Sequence, residues 1–91
     1  MLIRLEITVK GKVQGVGFRR FTYVIAKRLG LRGYVKNLEN GDVYIVVEGD
    51  EEIIKKFLEK IKIGPPGSRV EQVNCFEKKY KGEYDDFYIE Y

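Results

Sequence analysis

One glycine-rich segment, Gly11–Arg19, carries the residue types best suited to chemistry in this chain. It lies between an alternating apolar run and a run with helical spacing, which predicts a strand-to-helix turn. Glycines there let the backbone approach a ligand closely, because no Cβ atoms intervene. The unpaired N–H groups of such a turn, and of the helix that it opens, form a site for an anion.

Arg19 ends this segment and adds a planar guanidinium, which can hold two phosphate oxygens at once. The segment therefore predicts a phosphate-binding turn with one fixed cation. The alternative interpretation is a structural turn beside an exposed, ion-paired arginine.

Length and composition are those of a small globular protein. The chain has 91 residues, 44% hydrophobic and 34% charged, with a formal net charge of +3. We expect one domain over residues 1–91, with a single core. The charge favours anionic ligands, but it is too small and too mixed to indicate nucleic acid by itself.

Several features predict a cytoplasmic protein that does not associate with membranes. No apolar run approaches the ~20 residues that a membrane-spanning helix needs. The first residues alternate between charged and apolar types, unlike a signal peptide. Cys75 is alone, so no intramolecular disulfide can form. The high content of Lys and Glu resembles the surface composition of thermophile proteins, and it predicts a thermostable fold.

The hydrophobic pattern predicts the order β-α-β-β-α-β with a short terminal strand. Asn40-Gly41 predicts a two-residue hairpin turn, because both residues favour positive φ. Asp50 is expected to cap the second helix. The first helix is expected to bury a stripe of apolar residues: Phe21, Val24, Ile25 and Leu29. This order is the ferredoxin-like split β-α-β of the α+β class, an antiparallel sheet with two helices on one face.

The segment Gly11–Arg19 resembles the signature of the acylphosphatase family, Gly-x-Val-Gln-Gly-Val-x-Phe-Arg. Gly33–Asn37 is similar to the family's Gly-Trp-Val-x-Asn stretch, with Tyr34 in place of Trp. Matches at Gly64-Pro65-Pro66 and Phe87–Ile89 extend the resemblance over essentially the whole chain. One further departure is Leu38, which follows Asn37 where many members carry a hydroxyl residue.

The resemblance implies an enzyme that hydrolyses acyl phosphates to a carboxylate and inorganic phosphate, without a metal or cofactor. It implies that Arg19 and Asn37 are catalytic, Arg19 on the phosphate and Asn37 on the attacking water. From spacing alone, Asn37 would be a turn-favouring residue beside the hairpin. The backbone N–H groups expected to bind phosphate, whatever their side chains, belong to Gln14, Gly15, Val16, Gly17, Phe18 and Arg19.

The residues that other phosphatase mechanisms require are absent from this sequence. There is no histidine, and Cys75 is followed at the required spacing by Lys81 rather than arginine. Asp85-Asp86-Phe87 lacks the two carboxylates, separated by one intervening residue, of the phospho-aspartyl type. Direct attack of water remains, and an acyl phosphate suits it because its leaving carboxylate has a conjugate acid of pKa near ~4. Positioning and charge stabilisation then suffice.

Two alternatives stay open. The first is a non-enzymatic ferredoxin-like module that binds an anion or RNA, which would need exposed aromatic residues in a set motif on central strands. The middle strands offer only Tyr34 and Tyr44 without that motif, so nucleic acid is not expected. The second alternative is carbamoyl phosphate as substrate, as in a related domain of a hydrogenase maturation factor. We expect a monomer.

Overall fold

The computed structural model describes residues 1–91 and contains five strands and two helices. In chain order these are β1 (Leu2–Lys12), α1 (Phe18–Arg28), β2 (Arg32–Asn37), β3 (Val43–Asp50), α2 (Glu51–Ile63), β4 (Arg69–Lys78) and β5 (Phe87–Glu90). The strands form one sheet in the order β4-β1-β3-β2-β5. The ferredoxin-like α+β prediction is confirmed. No helix is long and apolar enough to span a lipid bilayer.

The sheet is mixed, whereas a wholly antiparallel sheet was expected. β1 pairs antiparallel with β3 and β4, and β2 pairs antiparallel with β3, but β5 runs parallel to β2. The reason is the path of the chain after β4. It crosses the sheet through residues 79–86, here the crossing segment, and returns at the far edge in the opposite direction. That direction is the one that β2 already has.

Both helices pack on one face of the sheet. Alternate residues of the central strands face them, as the period of two requires. The fully buried members of this face include Ile7, Val9, Val43, Ile45 and Val47. Asp50 caps α2 as predicted, since its carboxylate accepts the N–H of Glu52 at 3.1 Å. The core therefore fixes the end of β1 and the start of α1, where the glycine-rich turn lies.

The buried face of α1 differs from the predicted stripe. Val24 is only half-buried, whereas Thr22 and Ala26 are both 0% exposed. Thr22 can be buried because its hydroxyl donates to the carbonyl of Phe18 at 2.9 Å. A polar residue that satisfies itself within the helix leaves no trace in a hydrophobic pattern. Because Thr22 and Ala26 face the core, α1 is turned about its axis relative to the predicted stripe, and Val24 lies partly at the surface.

The β2–β3 connection is not the predicted two-residue turn. It spans residues 38–42, and Gly41 alone within it has a positive φ, of 98°. The N–H of Leu38 donates to the carbonyl of Asp42 at 2.9 Å and closes the loop. Asn40 uses its side chain instead of a left-handed backbone, because its Oδ1 accepts the N–H of Asp42 at 3.0 Å. Asn37 therefore ends β2 at the edge of a five-residue loop.

A buried carboxylate holds the crossing segment to the sheet. Glu48 is 2% exposed, and its oxygens accept the N–H groups of Lys81, Gly82 and Glu83 at 2.9, 3.2 and 3.3 Å. Arg4 donates to Glu83 at 2.6 Å, and its Nη1 lies 3.6 Å from Glu48. Three N–H donors and one cation compensate the cost of burying this charge. The crossing segment is thereby fixed, and β5 starts from a defined point.

Candidate active site

The turn between β1 and α1 adopts a conformation that glycine favours. Gly15 and Gly17 have φ values of 74° and 78°, in the left-handed region. An added Cβ at either position would meet no atom within 4 Å. The requirement for glycine here is therefore conformational, since space is available on the solvent side.

Backbone donors accumulate at this turn. None of the N–H groups from Gln14 to Arg20 donates a hydrogen bond within the protein, and the first bond of α1 runs from Phe21 to the carbonyl of Gly17 at 3.0 Å. The first turn of α1 contains no acidic residue, and no side chain caps it. The positive end of the helix dipole is thus not neutralised, and it favours an anion.

This turn borders a cavity of about 180 Å³. Six of the seven residues predicted from the sequence line it: Gln14, Gly15, Gly17, Phe18, Arg19 and Asn37. Val16 belongs to the turn but does not line the cavity. The fold therefore brings the glycine-rich turn and the end of β2, which are distant in sequence, to one place.

Arg19 is supported by the last residue of β5 and by the residue that follows it. Its Nη1 lies 3.4 Å from the carbonyl oxygen of Glu90, and its Cζ lies 4.7 Å from the centroid of the Tyr91 ring. Arg19 takes part in none of the ion pairs of the structure. Its positive charge is thus oriented by a ring and a carbonyl, and it remains available to an anion. Sequence reasoning missed Tyr91, and no local signal marks it.

Asn37 is the last residue of β2 and is half-buried. Its side chain makes no hydrogen bond within the protein, and it is not buried without a partner either. The amide therefore keeps both its donors and its acceptor for a molecule in the cavity. This is the property that a group orienting a water molecule needs.

The side chain of Gln14 joins the two halves of the cavity. Its Nε2 donates to the carbonyl oxygens of Leu38 and Asp42, each at 2.8 Å. Lys10 pairs with the carboxylate of Asp42 at 2.6 Å and holds the same loop. The sequence indicated that the side chain of Gln14 matters less than its backbone N–H, and the structure adds a contact that this side chain makes across the cavity. Leu38 and Asp42 lie 24 and 28 positions after Gln14, so these contacts are not visible in the local sequence.

Cys75 lies outside this site. It is exposed on β4, at the edge of the sheet opposite β5. Partial burial raises the pKa of its thiol above the ordinary value. The thiol is therefore protonated at neutral pH and is not an activated nucleophile. No group of three or more His, Cys, Asp or Glu side chains is arranged to hold a metal ion.

Comparison with known proteins identifies the family of this chain. The acylphosphatase family model matches residues 5–89. An acylphosphatase of Dehalococcoides mccartyi is 49% identical over 88 residues, 96% of this chain and 97% of that one. One of Archaeoglobus fulgidus is 47% identical over 90 residues, 99% and 100% of the two chains.

The crystal structure of acylphosphatase from Bacillus subtilis is similar over 100% of both chains, with a TM-score of 0.95 and 40% identity. The chain belongs to the acylphosphatase family. It is a hydrolase that acts on acyl phosphates and releases inorganic phosphate.

A Gln14→Glu variant tests the link between the two halves of the cavity. Glutamate cannot donate, and its charge would face two carbonyl oxygens. Because small displacements of reacting groups are costly, we expect kcat for acetyl phosphate to fall about tenfold or more. The free energy of unfolding should fall by about 1–3 kcal/mol, as for a lost buried hydrogen-bond partner. Steady-state kinetics and urea unfolding measure both quantities.

The matched control is Gln72→Glu. Gln72 is exposed on β4, where its side chain donates only to Asn74 at 3.0 Å. This variant should keep kcat and stability near those of the parent chain. A Gln14→Glu variant with normal kcat would show that the turn and the loop keep their positions without the side chain.

Proposed function

We propose that residues 1–91 form one catalytic domain that hydrolyses acyl phosphates by direct attack of water, without a metal. Arg19 and Asn37 are the catalytic residues, and the backbone N–H groups from Gln14 to Arg19 bind the phosphate. The observation that carries this proposal is the shared cavity, in which Arg19 and Asn37 stand beside a row of unpaired N–H donors.

Phosphate binding supplies most of the catalysis in this scheme. The N–H groups of the turn and the guanidinium of Arg19 surround the transferring phosphoryl group. Charge spreads over the phosphoryl oxygens in a loose transition state. Donors that are already oriented stabilise that charge without reorganisation. The left-handed glycines and the support of Arg19 by β5 provide this orientation in advance.

Water activation requires no general base in the protein. Asn37 can donate to a phosphoryl oxygen or accept from the water, which aligns the nucleophile with the phosphorus. The water attacks phosphorus, the P–O bond to the acyl group breaks, and the carboxylate leaves with the bonding electrons. A phosphoryl oxygen takes the proton of the water. The leaving carboxylate needs no acid, since its conjugate acid has a pKa near ~4.

The packing of the two tyrosines on the central strands supports the proposal that nucleic acid is not a ligand. Tyr34 packs against Tyr44 at 6.3 Å and against Tyr84 of the crossing segment at 5.8 Å between ring centroids. Burial raises the pKa of Tyr34 to about 12. These rings pack against one another and so offer little free face for a base. A monomer in the cytoplasm completes the proposal, and the free thiol of Cys75 is consistent with a reducing compartment.

Arg19→Ala should lower kcat/KM for acetyl phosphate about a hundredfold or more, the cost typical of removing one oriented donor. Both KM and kcat should change, because the cation meets phosphate in the ground state and the transition state. Arg19→Lys should rescue poorly, since a point charge lacks the bidentate fork. Inorganic phosphate should inhibit the parent enzyme competitively and the Ala variant hardly at all.

Arg69→Ala is the control, because Arg69 is exposed on β4. Equal phosphate inhibition of the parent and Arg19→Ala would remove Arg19 from the site.

Asn37→Ala should reduce kcat about a hundredfold, the cost of misplacing a reacting atom by about 1 Å. KM and phosphate inhibition should stay nearly constant, because the phosphate contacts remain. Asn37→Asp should also fail, since a carboxylate repels the phosphoryl oxygens. Asn74→Ala on β4 is the matched control. A turn-stabilising role would instead lower the Tm and spare kcat, and that result would contradict the assignment.

Activity should persist after dialysis against excess chelator, because Arg19 and the N–H groups supply the positive charge at the site. The assay is phosphate release from acetyl phosphate. It is repeated with carbamoyl phosphate, the alternative substrate considered in the sequence analysis. Loss of turnover in chelator, restored by one divalent ion, would show that the metal-free mechanism is wrong.

A further inference from the structure

An apolar groove runs along the exposed side of α1. Its largest part is a depression of about 460 Å³ between the two helices. Phe21, Ile25 and Leu29 form one wall, spaced four residues apart on α1 and so aligned along its axis. Ile63, 78% exposed, closes the groove from the end of α2. Phe21 and Leu29 are half-buried, and Ile25 is buried with the core. An apolar depression that stays open to solvent is typical of a binding surface.

The groove is continuous with the phosphate cavity. A second depression, of about 360 Å³, shares Gly17 and Arg20 with the phosphate cavity. It shares Phe21, Ile25 and Arg28 with the inter-helix depression. Phe21 also packs edge-to-face on Phe18, which lines the phosphate cavity, with ring centroids 5.8 Å apart. A molecule whose phosphate lies at the start of α1 can therefore extend past Arg20 and reach the apolar side chains farther along the helix.

The rim of the groove is positively charged. Arg20 and Arg28 stand on α1 two turns apart, roughly 12 Å at the rise of an α-helix. Lys60 lies across the groove on α2, and none of these three cations forms an ion pair. An apolar floor with a cationic rim complements a molecule that combines an anionic head with a hydrocarbon chain.

We propose that this groove is the subsite for the acyl chain of the substrate, and that the enzyme prefers acyl phosphates of unbranched medium-chain carboxylic acids. The proposal rests on the proposed function, because it places the phosphate of the substrate at the start of α1. The chain leaves the carbonyl carbon beside Arg20, passes Phe21 and Val24, and ends near Ile63. Val24 lines the middle of the path, which accounts for a half-buried valine at the surface of α1.

The test is the dependence of kcat/KM on acyl chain length. The substrates are acetyl, butanoyl, hexanoyl and octanoyl phosphate, each below its micelle-forming concentration. Full burial of one methylene is worth roughly a fourfold gain in binding, and a groove open on one side covers about half of it. We therefore expect kcat/KM to rise roughly twofold per methylene until the chain reaches Ile63. Inhibition by methyl-, butyl- and octylphosphonate should strengthen in the same order, which measures binding without chemistry.

Variants locate the effect. Ile63→Ser and Val24→Asn should lower the ratio of kcat/KM for octanoyl to that for acetyl phosphate at least threefold. Phe76→Ser is the matched control, because Phe76 is 66% exposed on β4, outside the groove. It should leave the ratio unchanged. All three side chains lie at least partly at the surface, and thermal unfolding checks that the variants fold.

The outcomes separate this inference from the function on which it rests. No turnover of any acyl phosphate would contradict the proposed function itself. Turnover of acetyl phosphate with no gain for longer chains would overturn only the acyl subsite. A gain that Phe76→Ser abolishes as strongly as Ile63→Ser would also overturn it. A change in oligomeric state on Ile63→Ser, with selectivity intact, would instead make this groove an interface between copies.

Discussion

The two hydrogen bonds from the side chain of Gln14 are the interaction on which the site depends. One half of the cavity belongs to the turn after β1, and the other half belongs to the loop after β2. The strands that carry them are not neighbours, because β3 lies between them. The sheet fixes the ends of β1 and β2 through their pairing with β3, but the turn and the loop extend beyond the paired residues. Gln14 joins these two extensions directly, through the carbonyl oxygens of Leu38 and Asp42.

The chemistry of the substrate explains how so small a site can be sufficient. A protein without histidine has no side chain that titrates near neutral pH without perturbation. An acyl phosphate makes such a group dispensable, because its leaving group departs as a stable anion. In the proposed mechanism, the protein must provide fixed positive charge. A helix start without a cap and one arginine supply it from the framework of the fold.

Much of the fold and part of the candidate site could be predicted from the sequence, because many of its signals are local. Alternation in β1, the cap at Asp50 and the glycine-rich turn each depend on neighbours within a few residues. The wrong expectations depended on distant or competing contacts. Asn40 favours a left-handed turn by type, but its side chain bonds to Asp42 and stabilises a longer loop.

The direction of β5 and the side-chain contacts of Gln14 could not be predicted, because they also depend on residues that are distant in sequence. The parallel pairing of β5 follows from how the crossing segment traverses the sheet, and Glu48 fixes that path from another strand. The carbonyl acceptors of Gln14 lie in a loop whose length was mispredicted. Arg19 and Asn37 could be placed in one site only through the family resemblance, since spacing alone favoured a structural role for Asn37.

The path of the crossing segment also has a consequence for how the molecule folds. Arg4 and Glu83 are 79 positions apart, and the β1–β4 and β2–β5 pairs likewise join distant parts of the chain. Closing such long loops costs entropy before any pairing repays it, so contact order of this kind makes folding slow for a chain of this length. Arg19 is oriented by Glu90, on an edge strand that joins the sheet only by pairing with β2. The recovery of turnover during refolding therefore reports the docking of this edge strand, in addition to the formation of the core.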